Sequence, residues 1–122
     1  MSGNSIFLDT NILIYLLQGD LKIAELIDNK TFTISFITEL ELLSIPMNSI
    51  QNRKIKALLK ECYILNINEE IKNHTIDFRN KYNIKLPDAI VAATAHYLDL
   101  PLITADKGFK KIDELNLFIY EI

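Results

Sequence analysis

Apolar and polar positions alternate between two rhythms along the chain. Short runs rich in apolar and β-prone residues occur at SIFLD (5–9), FTISF (32–36), CYILNI (62–67), PLIT (101–104) and LFIYEI (117–122). Each is the length of a buried strand. Between them, apolar residues recur at helical spacing. A helix is predicted from about 11 to 18, stopped at Gly19, and another over LKIAELIDN, with Leu21, Ile23, Ala24, Leu26 and Ile27. Thr38 opens a third over ELELLSI, ended by Pro46. Residues 48–61 form a fourth, with Ile50, Ile55, Leu58 and Leu59 on one side, and 68–82 a fifth, with Ile71, Phe78 and Tyr82 on one face. Leu86 to about Leu98 follows, with Pro87 in the first turn, where its missing N–H costs nothing. Lys107 to about Ile112 is a short helix. Strands alternating with helices predict an α/β fold: one mainly parallel five-stranded sheet with helices on both faces. No repeat, low-complexity run or linker divides the 122 residues, so a single domain, 1–122, is expected.

Composition changes this picture little. Hydrophobic residues make up 49% and charged residues 24%, an ordinary globular balance that can fill a core without disulfides. The one cysteine, Cys62, has no partner for a disulfide and is read as a buried free thiol. The N-terminal MSGNSIFLDTN lacks a basic leader, and Asp9 interrupts its apolar run. Neither a signal peptide nor a membrane span is expected there, which points to the cytoplasm and no membrane partner. The net charge of -3 excludes binding a polyanion by bulk charge alone. A nucleic-acid substrate needs a local basic stripe, a bound cation or a partner surface.

Candidate chemistry lies where strands end, because ligands of parallel sheets bind beyond the carboxyl edge. Asp9 ends the first strand, with Asn11 two residues on. Glu41 falls in the first turn of the helix after the second strand, Asp88 at the start of the helix leading to the fourth, and Asp106 two residues beyond Thr104. Helix capping accounts for most of these one at a time. Thr38-x-x-Glu41 has the form of a capping box, Asp88 complements a helix dipole, Asp106 suits an N-cap, and Asp9 or Asn11 can cap the first helix. Capping explains Asp9 least well: a charge directly after SIFL must leave the core or find a counter-ion. Four converging carboxylates repel one another, and a divalent cation relieves the repulsion. All-oxygen donors without a His or Cys cluster favour Mg²⁺ or Mn²⁺ over zinc.

FLDTNILIYLL, ISFITELELL, LPDAIVAATA and LITADKGF together resemble, in order and spacing, the motifs of PIN-domain proteins, and most of all the short VapC-type toxins of toxin–antitoxin pairs. The resemblance runs from residue 6 to residue 109. It implies a three-layer α/β/α domain around a parallel five-stranded sheet, Mg²⁺- or Mn²⁺-dependent endoribonuclease activity on RNA, a homodimer, and a cognate antitoxin that covers the site. It also implies that Asp9, Asp88, Asp106 and Glu41 form the metal site, with Asn11 and Thr104 as supporting polar groups. Glu39 competes with Glu41: two residues apart on a helix, they point about 200° apart, so one of them faces the site. Relatives often carry a further acid shortly after the position of Asp106, where this chain has Gly108 and Phe109. One metal ion or two is therefore left open, as is a toxin against a solitary RNA-processing nuclease.

Further basic residues, Arg53, Lys56 and Lys60 on one helix face and Lys107, Lys110 and Lys111 after the fourth strand, are candidates for phosphate contact. A solvated helix face accounts equally well for the first three. His74 and His96 are read as packed or dipole-complementing helix residues, and Ala89, Ala92, Ala93 and Ala95 as close-packing positions. A haloacid-dehalogenase-like phosphatase requires a second Asp where Asn11 stands, and a response-regulator receiver requires an Asp after the third strand, where none lies at a clear strand end. A non-catalytic PIN-like module binding RNA or protein is the remaining alternative, and the intact acids argue against it.

Overall fold

The computed structural model describes residues 4–121. In chain order the elements are β1 (Ser5–Leu8), α1 (Thr10–Leu17), α2 (Leu21–Ile27), β2 (Thr31–Ser35), α3 (Phe36–Leu43), α4 (Ser49–Glu61), β3 (Tyr63–Leu65), α5 (Glu69–Lys81), α6 (Leu86–Leu98), β4 (Leu102–Thr104), a 3-10 turn (Lys107–Lys111) and β5 (Leu117–Ile119). The five strands form one sheet in the order β3-β2-β1-β4-β5, and all four pairings are parallel. Chain connections run outward in opposite directions from β1 and β4. The β1/β4 junction is thus the topological switch point, where the carboxyl ends open a crevice.

Alternation within the strands splits the core in two. Ile6, Leu8, Ile34 and Ile103 face α1 to α4 and meet Ile12, Leu13, Ile23, Leu42, Ile55 and Leu59. Phe7 and Leu102 face the other way and pack against Ile71, Phe78, Val91, Ala92, Ala93 and Phe109. The result is the expected three-layer α/β/α arrangement. The alanines let α6 lie close to the sheet and to α5, as their spacing predicts: Ala89, Ala92, Ala93 and Ala95 are buried. Helix starts are fixed by short polar side chains. Asp20 accepts from the Ile23 N–H, Asn68 from the Ile71 N–H, and Asn48 forms a reciprocal box with Gln51.

Several boundaries differ from expectation. Phe36 begins α3 rather than ending β2, because Ser35 caps the helix by accepting from the Ile37 N–H. Thr38 is therefore inside α3 and fully buried, and no Thr38–Glu41 capping box forms. The strand expected over 62–67 contracts to Tyr63–Leu65, and half-buried Cys62 closes α4 instead. Its thiol bonds to the Leu58 carbonyl, and burial pushes its pKa up to about 12. The last strand ends at Ile119, and Ile122, the end of the predicted run, lies outside the described residues. Ile50, expected on the apolar side of α4, is 60% exposed, because only the Ile55/Leu59 stripe reaches the sheet. Among the described residues no helix is long and apolar enough to cross a membrane.

These placements separate two apolar residues of similar apparent merit. Phe78→Ala leaves a cavity between α5, α6 and the sheet and costs about 3–5 kcal/mol. Ile50→Ala changes stability by less than about 0.5 kcal/mol. Urea denaturation of both variants checks the pair; a comparable loss for Ile50→Ala contradicts its placement at the surface.

Candidate functional site

Parallel strands deliver their carboxyl ends to one edge, and the switch point selects β1 and β4 at that edge. β1 ends at Leu8, and Asp9 follows with only 7% of its surface exposed. Its backbone stays on the sheet: the Asp9 N–H bonds to the Ile103 carbonyl at 3.0 Å. The side chain takes up both sides of the crevice. Oδ1 accepts from the Thr10 N–H at 2.9 Å, and Oδ2 accepts from the Thr104 hydroxyl at 2.7 Å and the Asn11 side-chain amide at 3.3 Å. Asp9 is thus also the N-cap residue of α1, as one of the two candidates named for that cap. A cap alone does not account for a buried carboxylate tied to a strand end 95 residues away.

Asn11 and Thr104 extend this tie into the loop after β4. The Asn11 Oδ1 accepts from the Ala105 N–H at 3.2 Å, and the Thr104 Oγ1 accepts from the Asp106 N–H at 3.0 Å while donating to Asp9. Asp106 is the predicted N-cap: its Oδ1 accepts from the Gly108 N–H at 2.8 Å, which leaves Oδ2 for other partners. A Cβ at Gly108 would stand 3.0 Å from that Oδ1, so glycine leaves the carboxylate its position. Asp88 occupies the first turn of α6, half-buried, and shares a cleft with Asp106.

Glu41 reaches the site by a route that the sequence reading missed. It lies in the second half of α3, not in its first turn. Its Oε1 accepts from the Thr10 hydroxyl at 2.6 Å, and Thr10 lies 3.0 Å from the buried Thr38 hydroxyl. A hydroxyl carries one proton. With the Thr10 proton on Glu41, the Thr38 hydroxyl donates to Thr10, giving a chain Thr38–Thr10–Glu41 from core to surface. Glu39, in the first turn, makes none of these contacts. Thr10 stands between two residues already singled out, Asp9 and Asn11, and that adjacency was its only sequence signal.

The electrostatics show which acids sense one another. Burial raises the Asp9 pKa most, hydrogen bonds from Thr104 and Thr10 oppose it, and the charges of Asp88 and Glu41 raise it further. Burial also raises Asp88 first, then the charges of Asp106 and Glu41, with Lys85 pulling weakly the other way. All four predicted acids therefore belong to one electrostatic group. Among the described residues no three Asp, Glu, His or Cys side chains close into a metal cage. An open, all-oxygen edge fits Mg²⁺, which keeps several waters and takes one or two carboxylates, better than it fits a closed structural ion.

The predicted basic residues divide. Arg53, Lys56 and Lys60 are exposed on α4. Lys107 pairs with Glu121 at 3.7 Å, whereas Lys111 lines the cleft of Asp88 and Asp106. His74 and His96, each half-buried, meet edge to face at 4.9 Å beside Phe78, a contact between α5 and α6 that the sequence did not indicate.

Comparison with known proteins places this geometry. A family model described as PIN domain matches residues 6–115. The chain is 33% identical to one in a toxin–antitoxin complex from Klebsiella pneumoniae, with a TM-score of 0.84 over 96% of this chain and 99% of that one. It is 28% identical to a chain of VapBC-1 from nontypeable Haemophilus influenzae, with a TM-score of 0.77 over 94% and 97% of the two chains. A chain of VapBC2 from Rickettsia felis, solved with a fragment of promoter DNA, shares the fold at 21% identity, with a TM-score of 0.86 over 96% and 99%. A search of curated proteins finds no match.

The raised pKa of Asp9 has a definite sign. Its folded value lies above the ordinary value of about 3.9, so folding takes up a proton between the two. Its contribution to stability then falls as pH rises through that window, and Asp88 acts in the same direction. Without divalent cations, Asp9→Asn therefore gains stability relative to wild type as pH rises above about 4. Thermal melts across pH measure it, and a pH-independent difference contradicts the desolvated carboxylate.

Proposed function

The chain belongs to the PIN domain family, and on that footing we propose that it is a Mg²⁺-dependent endoribonuclease, the toxin of a toxin–antitoxin pair. Family membership supports nuclease chemistry, and the relatives solved as toxin–antitoxin complexes support the pairing. The observation that carries the reading is Asp9: a buried carboxylate at the switch point, oriented by Thr104 and facing the charges of Asp88 and Glu41. Mn²⁺ is an alternative ion. The protein acts on RNA in the cytoplasm as a homodimer, with a cognate antitoxin as its inhibitory partner.

In this reading Asp9, Asp88 and Asp106 would hold the cation, and Glu41 would complete the site. The cation, when bound, lowers the pKa of a water and neutralises charge on the phosphodiester. Thr104 and the Thr10 N–H fix the Asp9 carboxylate so that one orientation is presented. Asn11 locks the β4 exit loop to the same group through the Ala105 N–H. Such supporting contacts matter for affinity nearly as much as the ligands do. Glu41 is exposed at the end of the hydroxyl chain and takes the proton from the attacking water.

Incubation of purified wild type and variants with RNA, followed by mapping of new 5′ ends, tests the proposal. Wild type cuts in Mg²⁺ and stops on chelation. Asp9→Asn abolishes cutting while remaining folded, Thr104→Val slows it roughly 10–100-fold, and Glu41→Gln slows it by about 10²–10⁴-fold. Cleavage by Asp9→Asn at the wild-type rate overturns the assignment.

A further inference from the structure

A cleft of about 220 Å³ opens beside the acids, between the loop leading into α6 and the 3-10 turn. Asn83, Lys85, Asp88, Asp106, Gly108 and Lys111 contribute to its lining. It places two lysines in the same hollow as two carboxylates. Among the described residues neither lysine forms an ion pair within 4.0 Å, although acids stand in the same cleft. Lys85 is exposed, and α6 begins there without a side-chain cap. Lys111 gives one proton to the Asn83 carbonyl at 2.7 Å, which holds its ammonium at the cleft wall. An ammonium has three donors, so two remain.

Building on the nuclease reading, we propose that Lys85 and Lys111 form a phosphate subsite for single-stranded RNA, gripping the backbone phosphate next to the one cleaved. The remainder of the chain explains why such a subsite is needed. A net charge of -3 and an acidic edge repel a polyanion. The cation neutralises charge at the scissile phosphate, but the neighbouring phosphate still approaches Asp88 and Asp106. Two ammonium groups in that cleft offset the repulsion where it arises. The volume is below the roughly 300–1,000 Å³ of small-molecule pockets, which suits one sugar-phosphate unit at an open groove. The Arg53/Lys56/Lys60 face does not line this cleft, so it plays no part in the subsite.

Fluorescence anisotropy with a labelled single-stranded RNA of mixed sequence, across a salt series, provides the test. The Asp9→Asn protein serves as the background so that the probe stays intact. Lys85→Ala combined with Lys111→Gln removes both charges, and glutamine keeps a donor for the Asn83 carbonyl. Each phosphate neutralised on a single strand contributes about 0.7 to the slope of log K against log salt, and the subsite holds one phosphate, so the slope falls by about 0.7. Affinity at about 0.1 M salt then drops by about fivefold. Neutralising Arg53, Lys56 and Lys60 leaves the slope unchanged. A retained slope in the cleft variant, a loss carried by the α4 variant, or no RNA binding at all overturns the subsite. Weaker binding by the cleft variant, together with wild type that does not cut RNA, upholds the subsite and overturns the nuclease reading instead. If Lys85→Ala alone leaves the slope unchanged while melting normally, Lys85 is excluded from the subsite.

Discussion

One side-chain hydrogen bond reinforces the backbone pairing of β1 with β4 where the chain changes direction: the Thr104 hydroxyl donating to the Asp9 carboxylate at 2.7 Å. Around it the other contacts are arranged as consequences. The same Thr104 oxygen accepts from Asp106, which positions the loop carrying a further acid. Asn11 ties that loop to α1, and Thr10, next in sequence to Asp9, ties α1 to α3 through Glu41. A carboxylate kept 7% exposed is costly to ionise, and two nearby acids add to that cost. The fold places this cost at the crevice of a parallel sheet, the edge where ligands of such sheets bind.

Most of the architecture was legible because local and tertiary signals agree. The SIFL run is apolar through Leu8 and turns polar at Asp9, and the strand ends there. Pro87 in the first turn and the alanine spacing marked α6 to its observed limits. The failures occurred where two rules compete. FTISF is β-prone through Phe36, yet the Ser35 hydroxyl captures the Ile37 N–H and starts the helix with a cap three residues before Thr38. That shift moved Thr38 from a surface cap to the core and Glu41 from the first turn to a position facing Thr10. Ile50 satisfied helical periodicity but sits in the first turn of α4, which lies beyond the edge of the sheet's cover.

The acids were legible as candidates on one edge of the sheet, but the Thr10 hydroxyl that ties Glu41 to α1 was not. Each has a capping explanation, and two of those explanations hold: Asp9 and Asp106 are both N-caps. Capping positions and candidate ligand positions coincide because helix starts and strand ends share one rim in this fold. Lys85 and Lys111 illustrate the converse. Nothing in their spacing, 26 residues apart, links them, and only the closure of the β4 exit turn against the start of α6 brings both into one cleft.

The central claim, that the edge built on Asp9 holds a divalent cation, is tested most directly by X-ray diffraction from crystals soaked in Mn²⁺, with an anomalous difference map. The account predicts a peak in the crevice between β1 and β4, bonded to the Asp9 carboxylate directly or through one water and shared with Asp88 or Asp106. A map with no peak at Asp9, or with its only peak elsewhere on the protein, contradicts it.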